Sequence, residues 1–167
     1  SLYKLLLQYT DKIERFSIDE CFLDMTNYLC GDMLINKAYE IKKRVKEELG
    51  FTVNVGVAHN KLLAKMASDF TKPDRVHTLY ENEIPSKMWT LNVSELLMLG
   101  RKTIPKLSNM RIRTIGDLAK TDKELLSKKF GKHGIMMWEY ANGIDNSEVQ
   151  YKKEKPKSIG NSITLPM

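Results

Sequence analysis

Two carboxylates stand side by side in this chain, Asp19 and Glu20, with an apolar segment on either side. Ile13, Phe16 and Ile18 precede the pair, and Cys21, Phe22, Leu23 and Met25 follow it. Both flanks read as strands. Adjacent residues of a flat strand point to opposite faces, so a mid-strand pair could not converge on one target. At the tip of a hairpin both side chains can project to the same side. Acidic oxygens gathered there suit a hard divalent cation such as Mg²⁺. The plainer alternative is a hairpin turn with solvated acids.

Around this pair the first half alternates between helix and strand. Leu2, Leu5 and Leu6 near Tyr9 have helical spacing without a preceding cap, which predicts the end of a helix in a chain that starts in mid-domain. Asp32 is the expected cap of a helix to about Leu49, with Leu34, Ala38, Ile41, Val45 and Leu49 on its apolar side and Gly50 as its stop. Thr52 to Ala58 alternates, placing Val53, Val55 and Val57 on one buried face of a strand. Asn60 opens a helix to about Thr71, ended by Pro73, with Leu62, Leu63, Met66, Ala67 and Phe70 as its stripe. Lys65, Asp69 and Lys72 recur at steps of four and three, so they share a different face. Two ammonium groups along one side suit phosphate oxygens; a solvated Lys–Asp–Lys ladder is the alternative. Val76 to Leu79 reads as a further strand. The order predicts an α+β layer, an antiparallel or mixed sheet with helices on one face.

From Glu81 the β pattern disappears, and a domain boundary is expected between 82 and 92. Short helices follow. Val93 to Leu99 leads through the turn Gly100-Arg101-Lys102-Thr103 into Ile104 to Met110, the outline of a helix-hairpin-helix. Backbone N–H groups at the start of such a second helix bind phosphate without reading base sequence. Lys102 and Thr103 stand at that point, with Lys106, Arg111 and Arg113 around it. Many copies of the motif have a Gly at both ends of the turn, and here Met98 fills the first position. Thr121-Asp122 caps a helix to about Phe130, and His133 to Ala141 forms the last, whose Met136, Met137, Trp138 and Tyr140 read as core. A basic linker, Lys152 to Lys157, precedes Ser162 to Pro166, the expected start of another strand. His59, His77 and His133 have no spacing that suggests a metal or a triad.

Charge divides the chain in the same place. The net charge is +6. Residues 1–82 hold 12 Lys/Arg and 12 Asp/Glu, whereas residues 83–167 hold 15 and 9, so the second half carries the whole excess. A neutral half with an acidic tip beside a basic half suggests a reaction centre next to a polyanion-binding module; a merely lysine-rich surface is the alternative. No apolar run reaches membrane-spanning length, and no signal peptide opens the sequence. Cys21 and Cys30, without metal-finger spacing, fit a reduced, cytosolic setting with structural thiols.

The order of these features resembles the Y-family, or translesion, DNA polymerases. The stretches Ser17-Ile18-Asp19-Glu20-Cys21-Phe22-Leu23-Asp24 and Val55-Gly56-Val57-Ala58-His59-Asn60-Lys61-Leu62-Leu63-Ala64-Lys65-Met66-Ala67-Ser68-Asp69 carry it, with Thr71-Lys72-Pro73 and Lys157-Ser158-Ile159-Gly160. The resemblance implies a partial palm over residues 1–85, a thumb over 86–151, and a linker with the start of a little-finger domain over 152–167. It implies that Asp19 and Glu20 are two of three carboxylates holding two Mg²⁺ ions, Asp19 bridging both and Glu20 serving the ion at the primer hydroxyl. Lys72, with Lys65 as second choice, would contact the nucleotide triphosphate. Ser17 would lie near the primer end, and Gly100, Lys102 and Thr103 would grip the DNA backbone. The implied partners are primer–template DNA, a deoxynucleoside triphosphate and a sliding clamp, in the bacterial cytoplasm on the nucleoid. Nothing before Asp19 matches the family's third carboxylate or the aromatic residue after it, and the fingers are not recognisable, so this piece alone is expected not to extend primers. A non-catalytic module binding the DNA backbone, or another palm-type enzyme such as a nucleotide cyclase, is the competing reading.

Overall fold

The computed structural model describes residues 1–28 and 31–152. The basic run from Lys153 and the strand expected at Ser162 to Pro166 lie outside the described residues. A short helix α1 (Leu2–Leu6) precedes the hairpin of β1 (Ile13–Arg15) and β2 (Cys21–Leu23). The two strands are antiparallel, with Ile13 opposite Leu23 and Arg15 opposite Cys21. Helix α2 (Asp32–Arg44) runs on into a π-helical turn, Val45–Leu49, and ends at Gly50 with φ 76°. The cap position belongs to Gly31, and Asp32 is the first helical residue, where its charge faces the positive end of the helix dipole without a capping hydrogen bond.

Next come β3 (Val55–Val57), α3 (Lys61–Ser68) and β4 (Val76–Thr78). β3 and β4 pair in parallel, Val55 opposite Val76, with α3 as the crossover. The fold is the expected mixture of helix and sheet. Its strands are apportioned between two small sheets, one antiparallel and one parallel, among the described residues. Strand β3 is shorter than the alternation of Thr52 to Ala58 predicts, because β4 offers only three residues to pair with it.

Gly56 fixes how closely α3 lies on β3. A Cβ built there would stand 1.9 Å from the Ala64 carbonyl oxygen and 2.8 Å from the Ser68 nitrogen. Only hydrogen leaves room for that contact. The opposite side of α3 buries Leu62, Leu63, Met66 and Ala67 in a core that continues into the second half through Leu79, Met88, Ile115, Leu118, Leu126 and Met137. A separate, smaller core joins Leu5, Leu6 and Ile13 to Ile41 of α2 and Val45 of the π-helical turn.

The second half holds α4 (Ile104–Asn109), α5 (Ile115–Lys120), α6 (Lys123–Phe130) and α7 (Lys132–Ala141). The helix expected from Val93 to Leu99 is reduced to one 3-10 turn, Val93–Glu95. The backbone on either side of Asn92 is drawn into cross-chain hydrogen bonds instead: Val93 N donates to Arg113 O at 2.9 Å, and Ile115 N to Leu91 O at 3.0 Å. Leu96 is then extended, and Met98 turns left-handed at φ 67°. Thr114 and Asp117 form a capping box on α5, and Asp122 caps α6 by accepting from Leu125 N at 2.8 Å. No described helix is long and apolar enough to cross a membrane.

Candidate functional site

Asp19 and Glu20 occupy the tip of the hairpin. Glu20 O accepts from Phe16 N at 3.0 Å and from Ser17 N at 3.2 Å, which closes the loop around Ser17, Ile18 and Asp19. The Ser17 hydroxyl donates to Asp19 Oδ1 at 3.0 Å and lies 3.2 Å from Glu20 Oε2. One hydroxyl within reach of both carboxylates places them on the same side of the hairpin. That is the convergence that a flat strand would have prevented.

Helix α3 meets the hairpin through two lysines one turn apart. Lys61 Nζ is 2.8 Å from Glu14 Oε2, and these side chains are 16% and 15% exposed. Its ammonium also sits 5.4 Å from the centre of the Phe22 ring. Lys65 contacts Glu20 Oε1 and lies 3.0 Å from Asp69 Oδ2. Lys72 reaches the other oxygen of Asp69 at 2.8 Å. A continuous polar chain therefore runs Asp19–Ser17–Glu20–Lys65–Asp69–Lys72. The Lys–Asp–Lys face exists, but it is not simply solvated: the Lys65 side chain is 14% exposed, and Lys72 at the outer end is 58% exposed. Burial of Lys65 works against its charge, and the hydrogen bonds from its ammonium to Glu20 and Asp69 outweigh that, leaving its pKa raised. Asp69 is the mirror case: burial pushes its pKa up, and hydrogen bonds from Lys72 and Lys65 bring it below the ordinary carboxylate value.

Lys61 and Glu14 escaped the reading of the sequence. The available signal was that Lys61 stands four residues before Lys65, hence on the same side of α3. Cys21 sits half-buried on β2, where burial raises the pKa of its thiol.

Gly100, Lys102 and Thr103 lie further on, in the turn before α4, with Gly100 28 residues beyond Lys72. Thr103 N donates to Gly100 O at 3.0 Å, and Leu107 N to Thr103 O at 3.1 Å. A Cβ added at Gly100 would meet nothing within 4 Å, so packing within the described residues does not require a glycine there. Most of the positive charge between residues 98 and 145 has no carboxylate within salt-bridge distance among the described residues. In residues 1–82, Lys12, Lys37, Lys42, Lys43, Arg44, Lys46, Lys61, Lys65 and Lys72 all have a carboxylate within salt-bridge distance. Between residues 98 and 145 only Lys123 does, with Glu139 at 3.2 Å, among the described residues.

Residues 1–69 match the impB/mucB/samB family, and residues 98–145 match the family described as the thumb domain of DNA polymerase iota. The fold superposes on a Y-family DNA polymerase chimera with a TM-score of 0.80 at 30% identity, over 92% of this chain and 46% of that one. The chain belongs to the Y family of DNA polymerases. DNA polymerase IV of Clostridium acetobutylicum is 53% identical to this Y-family chain over 167 residues, which are 100% of the chain and 42% of that protein. DNA polymerase IV 1 of Bacillus subtilis is 39% identical over 166 residues, covering 99% of the chain and 40% of that protein. An insertion ternary complex of Dbh DNA polymerase superposes with a TM-score of 0.79 at 30% identity, over 89% of this chain and 44% of that one. The chain thus spans about two fifths of the length of these curated relatives. Within the Y-family chain, the first matched region contains the hairpin and α3 through Asp69, and the second begins at Met98.

Proposed function

We propose that this segment supplies part of the palm, over residues 1–85, and the thumb, over residues 86–151, of a DNA polymerase that adds deoxynucleotides opposite damaged template, and that residues 152–167 lead into a further domain. The convergence of Asp19 and Glu20 on Ser17, with Lys65, Asp69 and Lys72 alongside, carries this reading.

Two carboxylates and a hydroxyl are hard oxygen donors, which fit a divalent cation, with Mg²⁺ the ion proposed. Among the described residues no group of three or more His, Cys, Asp or Glu is placed to hold a metal. Asp19 and Glu20 would therefore bind as Mg²⁺ often does, through one or two carboxylates with phosphate and water completing the shell. Such ions lower the pKa of a primer hydroxyl and neutralise charge on the leaving pyrophosphate. The chain's own residues orient and hold. Ser17 fixes the spread of the two carboxylates, Lys65 aims that of Glu20, and Lys72, exposed at the outer end, would bind triphosphate oxygens.

The unpaired cations between residues 98 and 145 suit the backbone of primer–template DNA, with Gly100, Lys102 and Thr103 as the proposed contact. Glycine at position 100 would let a phosphate approach the chain closely, which accounts for a glycine that internal packing does not require. The partners of the reaction are this DNA and a deoxynucleoside triphosphate. A sliding clamp and a bacterial cytosolic setting on the nucleoid are proposed from the family resemblance. A nucleotide cyclase would leave the thumb match at residues 98–145 unexplained.

Primer extension across an abasic template by the polymerase that carries this segment tests the reading. Asp19→Ala and Glu20→Ala should each lower kcat by on the order of 10³. Lys72→Ala should raise KM for the nucleotide by about tenfold. Extension at the parental rate by Glu20→Ala would overturn the metal assignment. Parental DNA binding with no extension by the unmutated protein would favour a non-catalytic binding module.

A further inference from the structure

Lysines Lys61 and Lys65 both hold hairpin carboxylates, but only Lys65 holds one at the acidic tip. We propose that Lys65 is a positioning residue that serves as the internal counter-ion of Glu20, keeping the tip's affinity for a divalent cation low until nucleotide phosphates arrive. The inference rests on the proposed metal role of Asp19 and Glu20.

The geometry assigns each oxygen of Glu20 a separate neighbour. Oε1 faces Lys65, while Oε2 turns toward Ser17 and so toward the Asp19 side. Lys65 has a second carboxylate in reach, Asp69 at 3.0 Å, so it keeps a partner when Glu20 turns to a cation. Asp69 is tied from its other oxygen to Lys72 at 2.8 Å, so both of its oxygens already face an ammonium group. The charges of this set act in the same direction. Three carboxylates, Asp19, Glu20 and Asp69, against two ammonium groups, Lys65 and Lys72, leave a net charge of −1 facing a dication. A triphosphate brings the missing negative charge, so cation and nucleotide would bind together more readily than either alone. An ammonium in contact with a ligand carboxylate costs a divalent ion on the order of tenfold in affinity at a partly screened surface.

Binding of Mn²⁺ without nucleotide to the polymerase that carries this segment, read from the electron paramagnetic resonance of the free ion, tests this. Lys65→Gln should tighten binding by about tenfold, and Lys65→Arg, which keeps the charge, should restore the parental value. Asp69→Asn should weaken binding, because Lys65 is then committed to Glu20. Lys61→Gln breaks a similar bridge on the same helix and should leave Mn²⁺ affinity unchanged. A merely structural role for Lys65 would not move Lys65→Gln and Asp69→Asn in opposite directions. Equal or weaker binding by Lys65→Gln, while Asp19→Asn still abolishes binding, would overturn the counter-ion role and leave the metal assignment standing. Binding that ignores Asp19→Asn, or is absent from every variant, would overturn both. Circular dichroism melts of each variant report folding, and an unfolded Lys65→Gln would pass the decision to Asp69→Asn.

Discussion

The Asp145 carboxylate accepts a hydrogen bond from the Leu62 amide at 3.1 Å, so the chain leaving the last helix returns to cap the helix that faces the acidic hairpin. Asn60 completes the arrangement. Its Oδ1 accepts from Leu63 N at 2.9 Å, and its Nδ2 donates to Gly143 O at 2.9 Å. The first turn of α3 is thus held from both halves of the chain. Asp145→Ala should cost about 1 kcal/mol in urea-induced unfolding, as the loss of a helix cap does elsewhere. Combined with Asn60→Ala the effect should be non-additive, because both serve the same few amide groups.

Gly56→Ala should be more severe. The added methyl would fall on the Ala64 carbonyl, backbone that cannot swing aside as a long side chain could. A loss of about 2–3 kcal/mol in thermal or urea unfolding is expected, at the upper end of overpacking effects. Lys65 rides on α3, so primer extension by the parent polymerase should fall as well.

Met98 offers the opposite sign. It is a non-glycine residue at φ 67° and 63% exposed, at the position where many helix-hairpin-helices have glycine. Met98→Gly relieves the left-handed conformation and should stabilise the chain by about 1 kcal/mol. An unchanged or lowered melting temperature would show that the methionine side chain contributes more than its conformation costs.

The acid limb of stability should report on Asp69. Its folded pKa lies below the ordinary 3.8, so its contribution is complete above that value and is lost as pH falls through the lower folded one. Asp69→Asn should therefore lower stability near neutrality and reduce the slope of the stability–pH curve below about pH 4. Lys65 works at the other end. Its raised pKa makes its contribution complete below the ordinary 10.5 and loses it as pH rises through the higher folded value.

Salt dependence should separate the two halves. Replacing Arg101 and Lys102 with Gln should weaken duplex DNA binding and reduce the slope of log affinity against log salt by about 2, one for each phosphate no longer neutralised. Replacing Lys43 and Lys46, which already face Glu47 and Asp74, should leave that slope unchanged.

Much of this was legible in the sequence because it is local. The acidic tip announces itself by its flanking strands, and Asn60 and Asp122 are helix caps recognisable from their neighbours. The Val93–Leu99 helix failed for the complementary reason. Its apolar spacing is helical, but Leu91 and Val93 have a stronger claim on the backbone of residues 113–115. Long-range pairs leave no periodic mark. Nothing near Lys61 points to Glu14, 47 residues before it, and nothing near Asp145 points to Leu62, 83 residues away. Lys65 showed its face but not its partner, since a period of about 3.6 residues gives direction along one helix and says nothing of what stands opposite.

Glu14 accepts not only from Lys61 but also from the Gln150 amide, at 2.7 Å across 136 residues of sequence. The hairpin's half-buried carboxylate is thus satisfied by a backbone amide from beyond the last helix. Closing a loop of such span costs chain entropy that the packing between its ends must offset. The clasp therefore makes the hold on the hairpin depend on residues from both ends of the described chain.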